Sequence, residues 1–262
     1  MSLTEALIVS GAAVLAYVTA IWLLSLALSN ASIIDIFWGP GFVLLATLYH
    51  ATLDGFGGRS VLITTLVLVW GLRLGLHIFW RNRGHGEDYR YQKWREHAGR
   101  KFWWTSFFRI FLLQGVLLWV ISMPLLAAII NEDPDHVTVL DALGALLWCA
   151  GFLFEAGGDW QLMRFKADPA NKGKVMSRGL WHYTRHPNYF GDATLWWGYF
   201  VIAAGTTYGW LTIFSPVIMT FLLVRVSGAA LLDSGLHKTK PGYAEYVAGT
   251  SGFIPWLPAR RA

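Results

Sequence analysis

The chain has 262 residues, of which 55% are hydrophobic and only 14% are charged, and its mean hydropathy is +0.44. This composition excludes an ordinary cytosolic enzyme, a disulfide-stapled secreted domain and a disordered chain. With 15 Trp and a formal net charge of +5, the sequence predicts a membrane protein with interfacial aromatic residues and basic loops that orient it.

Seven stretches are long and apolar enough to cross a hydrocarbon core about 30 Å thick, which takes roughly 20 helical residues. The first lacks a basic n-region and a cleavage site, so we interpret it as a span rather than a signal peptide. We therefore predict an all-α bundle of seven transmembrane helices, organised as a single membrane domain over 1–262. In chain order the predicted spans are 5–29, 33–53, 60–80, 107–130, 138–163, 189–207 and 209–233.

Basic residues concentrate on one side of this predicted bundle. The segments 81–106 and 164–188 and the C-terminus hold seven, six and four Lys or Arg, which is seventeen of the 21 in the chain. The connections on the other side hold one basic residue, Arg59, and several acidic ones. The positive-inside rule then predicts that the N-terminus lies outside and the C-terminus in the cytoplasm. In a bacterium, the membrane would be the inner membrane.

Ionisable side chains inside apolar spans are energetically expensive, which makes each a candidate for function. Asp35 lies at the start of the second predicted span, where it could act in catalysis or simply cap the helix. Arg73, His77 and Asp233 lie near predicted span ends, where their side chains could instead snorkel to water.

Glu155 and Asp159 are four residues apart in the fifth predicted span and therefore share one helix face. Arg164 and Lys166 follow at the cytoplasmic end. Carboxylates beside cations suit the hydroxyl, amide and phosphate groups of a nucleotide, and the alternative is an ion pair with Arg225 or Arg73 that packs helices. A metal site is disfavoured because no His has matching spacing and Cys149 is the only cysteine.

The densest polar segment runs from Gly179 to Asp192. Pro187 favours an extended conformation at His186, and an apolar span follows. Arg185 and His186 are thus expected in a loop beside the positive end of a helix, which is an arrangement that binds anions. The basic segment 237–246 could add to the same cytoplasmic site or face anionic lipid headgroups.

These residues resemble the steroid 5α-reductase family, and most closely its bacterial branch, formerly described as a domain of unknown function. The resemblance rests on Gly179–Asp192, on Tyr246 with Phe253-Ile254-Pro255, and on 35–39. It covers most of the chain and is strongest over 150–256. It implies a seven-helix membrane enzyme that uses NADPH to reduce the C4–C5 double bond of a 3-oxo-Δ4-steroid.

The resemblance also implies site residues, with a catalytic part over about 1–130 and a cofactor-binding part over about 138–262. Asp35 matches the family's catalytic Glu, but its catalytic Tyr has no Tyr counterpart in 69–77, which leaves Trp38, Arg73 and His77 as candidate proton donors. Arg225 and His237-Lys238 match a C-terminal basic run only loosely. The candidate cofactor-binding residues, from motifs and resemblance together, are Arg83, Glu155, Asp159, Arg164, Lys166, Tyr183, Arg185, His186, Asn188, Asp192, Arg225, Lys240 and Tyr246.

Two other functions fit the sequence. The Arg-His-Pro-x-Tyr-x-Gly run is also similar to membrane methyltransferases that modify isoprenylcysteine and bind S-adenosylmethionine there. A sterol-binding membrane protein without turnover is the third hypothesis. In each case we expect a monomer that binds a lipid and no nucleic acid.

Overall fold

The computed structural model describes residues 1–55, 57–226, 233 and 240–258. Within these ranges the protein is helical and contains no β-strand, which confirms the predicted all-α class. The chain divides into two compact units. The first comprises Met1–Thr138 and Ala203–Thr212, and the second comprises Val139–Ile202 with the described residues from Ile213 onward.

The first unit is built around four long helical paths. Helices α2 (Trp38–Thr52) and α3 (Gly57–Asn82) approach closely because glycines meet where they cross, so that a Cβ on Gly39 would lie 2.4 Å from the carbonyl oxygen of Gly71. A π-helical turn at Phe107–Leu112 interrupts the helical path Tyr89–Ile130. The helices are α1 Leu3–Ala27, α2 Trp38–Thr52, α3 Gly57–Asn82, α4 Tyr89–Ala98, α5 Phe102–Ser106, α6 Leu113–Ile121 and α7 Met123–Ile130.

The second unit contains α8 Val139–Ala167, α9 Pro187–Ala204, α10 Phe214–Phe221 and α11 Tyr243–Gly249. Glycines again form the contact between α8 and α9. A Cβ on Gly191 would lie 2.3 Å from the backbone nitrogen of Glu155, and one on Gly198 would lie 2.7 Å from the carbonyl oxygen of Gly144. This seam lets the first turns of α9 lie against the carboxylate-bearing part of α8.

Five helical paths in the described residues are long and apolar enough to cross a membrane, so the protein is a multi-pass membrane protein. They match the predicted spans 5–29, 60–80, 107–130, 138–163 and 209–233. The other two predicted spans are not among them: 33–53 becomes a 3-10 turn followed by α2 with 15 residues, and 189–207 becomes α9 with 18. The five paths are Leu3–Ala27, Gly57–Asn82, Tyr89–Ile130, Val139–Ala167 and Gly209–Val226.

Candidate functional site

Asp35 ends a short 3-10 helix, Ala31–Asp35, that precedes α2. Asn30 caps this helix, because its side-chain oxygen accepts a hydrogen bond from the backbone N–H of Ser32 at 3.0 Å. The N-cap position of α2 itself is Phe37, and no side chain caps it. The alternative in which Asp35 merely caps α2 is therefore not what the structure shows.

The carboxylate of Asp35 accepts hydrogen bonds from two residues of α4. The Tyr91 hydroxyl donates to Oδ1 at 2.6 Å, and Nη2 of Arg90 donates to Oδ2 at 3.2 Å. The Tyr91 oxygen lies within reach of a further donor, Nε2 of Gln114, at 3.4 Å. Because Tyr91 is only 5% exposed, its phenol is a buried donor whose position is fixed from both sides.

Acidic residues just before α4 hold this cluster against the 3-10 helix. Asp88 caps α4 and accepts a hydrogen bond from Nε of Arg90 at 3.0 Å, which aims that guanidinium at Asp35. Glu87 accepts from the backbone N–H of Ala31 at 2.6 Å and from Arg95 at 2.8 Å. Burial opposes ionisation of Glu87, but the hydrogen bonds from Arg95 and Ala31 outweigh it and hold its pKa below the ordinary value.

Tyr91 was not among the residues singled out from the sequence, where the candidate proton donors are Trp38, Arg73 and His77. Trp38 begins α2 and packs edge-on against Phe42, and both Arg73 and His77 lie half-buried on α3. Their roles stay predictions. The one sequence signal for Tyr91 is its place three residues after the helix cap, and that position does not reveal a contact made 56 residues away.

A cavity of about 510 Å³ lies in the second unit, between the end of α8, the loops that precede α9, and α11. We call it the basic cavity, since five cations and one acid, Asp168, line it. Flat and branched apolar side chains form its walls, and the Tyr246 hydroxyl fixes one wall by donating to the carbonyl oxygen of Trp181 at 2.5 Å. The cations are Lys166, Lys172, Lys174, Arg185 and Lys240, and the apolar walls include Leu162, Phe165, Val175, Met176 and Trp181.

Asp233 connects the predicted Arg-His pair to α11. Its carboxylate lies 2.8 Å from Nη1 of Arg185 and 2.9 Å from Nε2 of His186, and it also accepts a hydrogen bond from the Tyr243 hydroxyl. A carboxylate accepts only, so Nε2 of His186 carries the proton. Burial lowers the pKa of His186 more than Asp233 raises it, which favours the neutral ring. Asp233 therefore contacts three side chains, which differs from the alternative in which its carboxylate extends from a span end to water.

Asn188 and Asp159 meet across the glycine seam. Nδ2 of Asn188 donates to Oδ1 of Asp159 at 3.0 Å. Oδ1 of Asn188 is buried and has no hydrogen-bond partner in the described structure. A buried acceptor without a donor is costly, and a ligand N–H such as a carboxamide would satisfy it. Asn188 does not line the basic cavity, so this acceptor and the cavity are two separate polar features of the second unit.

The segment 179–192 lies beside the segment that contains Phe253-Ile254-Pro255. The Thr184 hydroxyl donates to the carbonyl oxygen of Phe253 at 2.8 Å, and the backbone N–H of Arg185 donates to the carbonyl oxygen of Ser251 at 2.9 Å. The backbone N–H of Trp256 donates to the carbonyl oxygen of Tyr183 at 3.0 Å. These bonds hold the loop before α9 against the chain end.

Nine of the thirteen predicted cofactor residues fall into two groups. The basic cavity is lined by Lys166, Arg185, His186, Lys240 and Tyr246. Outside its lining, Glu155 and Asp192 are buried on α8 and α9, beside the Asn188–Asp159 pair.

Other predicted residues lie elsewhere. Arg164 is exposed with its guanidinium over the Trp160 ring, and Tyr183 is 42% exposed. Arg225 is exposed in the turn after α10, and Arg83 belongs to the first unit. The pair at 237–238 lies outside the described residues. Lys172 and Lys174, which the sequence analysis did not single out, line the cavity instead.

Comparison with known proteins identifies a matching family and a distant relative. Residues 21–250 match the family described as "Protein of unknown function (DUF1295)". The chain is also 24% identical over 212 residues to an uncharacterized protein of Schizosaccharomyces pombe, a match that covers 70% of this chain. The chain spans about 60% of the length of that curated relative. No solved structure matches.

Proposed function

The chain belongs to the DUF1295 family, whose function is unknown, and from its residues we propose that it is a membrane oxidoreductase. The proposed reaction reduces the C4–C5 double bond of a 3-oxo-Δ4-steroid, or of a related lipid enone, at the expense of NADPH. The observation that carries the proposal is the buried Tyr91 hydroxyl held by the Asp35 carboxylate. The link to steroid 5α-reductases rests on the motifs given above.

The basic cavity supports the choice of cofactor. NADPH would supply the hydride. Its phosphates would find Lys166, Lys172 and Lys174, which are charge-assisted donors, and its adenine would find flat apolar walls. The free acceptor of Asn188 would take an N–H of the carboxamide. Five cations also favour a cofactor that carries phosphates over one that does not.

Tyr91 and Asp35 support the part of the proposed reaction in which a donor acts on the 3-oxo oxygen of the substrate. Reduction of an enone builds negative charge on the 3-oxo oxygen, and a donor placed there stabilises that charge. The Tyr91 hydroxyl would donate to this oxygen in place of Asp35. Asp35 and Arg90 would hold the phenol in position, so that little reorganisation is needed when the charge develops.

The membrane arrangement forms part of the proposal. We place seven spans across the membrane, with the N-terminus outside, the C-terminus in the cytoplasm and, in a bacterium, the inner membrane as location. The support is the positive-inside bias of the sequence. The protein would act as a monomer on a substrate that enters from lipid.

The direct test uses purified protein in detergent with NADPH and a 3-oxo-Δ4-steroid. We expect steroid-dependent oxidation of NADPH, and a reduced steroid in the products. Tyr91→Phe removes the donor and should lower kcat by about 10²- to 10⁴-fold. The matched control is Tyr89→Phe, since Tyr89 lies two residues away and is 56% exposed. Oxidation that does not depend on the steroid, or equal activity of both variants, would overturn the proposal.

A methyltransferase is the second candidate, because the Arg185-His186-Pro187 run lies at the basic cavity and would suit any adenine cofactor. S-adenosylmethionine carries a positive sulfonium and no phosphate, however, so five lining cations disfavour it. Thermal stabilisation measured with NADPH and with S-adenosylmethionine side by side separates the two. A sterol-binding protein without turnover would be stabilised by the lipid and by neither cofactor.

A further inference from the structure

A second cavity, of about 280 Å³, lies in the first unit beside the π-helical turn Phe107–Leu112. We call it the π-turn cavity. A π turn contains one residue more than an α-helical turn and locally widens the helix. Such turns are frequent at functional sites. Neither Asp35 nor Tyr91 lines this cavity, so the proposed reaction does not use it. Its lining is Trp94, His97, Ala98, Phe102, Thr105, Ser106, Arg109, Ile110 and Leu113.

The cation of the π-turn cavity is Arg109, which no described residue neutralises. Arg109 is exposed and makes no hydrogen bond or ion pair with the part of the chain that the structure describes. Arg95, by contrast, is bonded to Glu87 at 2.8 Å and lies over the Phe102 ring at 4.3 Å. His97 adds a second potential donor to the lining, which contains no acidic residue. The cavity therefore presents uncompensated positive charge.

Aromatic residues around this cavity indicate that it lies at the level of the lipid headgroups. Trp94 and Phe102 lie in its wall, and three further rings are exposed around the π turn: Trp103 at 58%, Trp104 at 42% and Phe108 at 55%. Exposed Trp rings concentrate at the level of the lipid headgroups, where one edge is wet and the other apolar. Arg109 also lies near the start of the predicted span 107–130.

We propose that the π-turn cavity binds the headgroup of an anionic phospholipid. The guanidinium of Arg109 would hold the phosphodiester by two parallel hydrogen bonds, and His97 would donate a third. Ile110 and Leu113, on the membrane side of Arg109, would contact the acyl chain. The Thr105 hydroxyl already donates to its own helix, at 2.9 Å from the Lys101 carbonyl, and can still accept from a hydroxyl of the headgroup.

The test is thermal unfolding of delipidated protein in mixed micelles that contain phosphatidylglycerol or phosphatidylcholine. We expect phosphatidylglycerol to raise the Tm more, and Arg109→Gln to weaken its apparent affinity roughly tenfold or more, which is the worth of a charge-assisted hydrogen-bonded pair. The matched control is Arg100→Gln, since Arg100 is an exposed arginine of the same path and does not line the cavity. That variant should keep the preference for phosphatidylglycerol.

Two further measurements keep the proposal falsifiable. Native mass spectrometry should show fewer retained phosphatidylglycerol molecules on Arg109→Gln than on Arg100→Gln, and Arg109→Lys should recover part of the difference. A parallel titration uses inorganic phosphate alone, which lacks acyl chains and should stabilise little. Equal stabilisation by both lipids, equal losses in both arginine variants, or full stabilisation by free phosphate would each overturn the proposal.

Discussion

The side-chain amide of Asn188 donates a hydrogen bond to Asp159 at 3.0 Å, while its own oxygen stays buried without a partner. Of the two polar groups of this amide, the described structure thus binds the NH2 group and leaves the oxygen without a partner. Asp159 fixes which way the amide points, because a carboxylate can accept only from the NH2 group. The oxygen is left as an oriented acceptor, which under the proposed function would take an N–H of the cofactor.

Asn188→Ala should weaken NADPH binding by about 1–3 kcal/mol, since the ligand N–H loses its buried acceptor. Isothermal titration of the purified variant measures this loss directly. The matched control is Asn82→Ala, at the end of α3 in the first unit, which should bind like the parent. Wild-type affinity in Asn188→Ala would place the cofactor elsewhere.

The double variant Lys172→Gln, Lys174→Gln should bind NADPH more weakly than the parent. It should also show a smaller ratio of NADPH affinity to NADH affinity. Both lysines line the basic cavity, and removing cations costs phosphate contacts that salt partly screens. We therefore expect a smaller dependence of NADPH affinity on salt in the variant. Lys93→Gln serves as control because Lys93 is exposed on α4, outside the cavity lining. An equal loss for NADH and NADPH would count against a role in recognising the 2′-phosphate.

The sequence identified the polar residues of the site better than their partners. Asp35 could be found because a carboxylate inside an apolar stretch is costly and needs an explanation. Tyr91 could not, since nothing in the sequence shows that the helix starting at Tyr89 folds back onto the 3-10 helix. Asp233 was noticed but interpreted as a helix-end residue, because its three partners lie 10 to 48 residues away.

The two predicted spans that are absent from the five apolar paths differ from them in different ways. Helix α9 has 18 residues, as many as the path Gly209–Val226, but its first turns carry the polar residues Asn188 and Asp192. Residues 33–53 are apolar throughout, but Asn30 starts a 3-10 helix and a regular α-helix begins only at Trp38. Helix α2 alone has 15 residues and a crossing takes roughly 20, so the proposed second span must include the 3-10 helix before it. Arg164 was predicted to bind the cofactor, but in the structure its guanidinium lies over the ring of Trp160, one helical turn away.

The stability of the fold should fall as the pH drops from about 7.5 towards 5.5, in part because of His186. Its pKa in the folded protein is lowered from the ordinary value of 6.5, chiefly by burial. On acidification the unfolded chain therefore takes up this proton first, and the stability gained from the neutral ring is lost as the pH falls through the folded pKa. Thermal unfolding across this range should show a shallower decline for His186→Gln. His182→Gln, an exposed ring on the same loop, should follow the parent, and parallel profiles for both variants would contradict the assignment.

Gly191→Ala should destabilise the second unit, because the new Cβ would lie 2.3 Å from the backbone nitrogen of Glu155 and 2.4 Å from the carbonyl oxygen of Gly151. Backbone atoms on α8 cannot rotate away, so the helices must separate, and overpacking of this kind costs about 1–3 kcal/mol. Separation would also stretch the hydrogen bond between Asn188 and Asp159, so NADPH affinity should fall together with Tm. Gly11→Ala is the matched control: a Cβ there meets only the Trp119 ring at 3.9 Å, and alanine is the better helix former. Differential scanning fluorimetry of the two variants, with and without NADPH, tests the glycine seam. A parent-like Tm in Gly191→Ala would mean that α8 and α9 do not approach each other as closely as described.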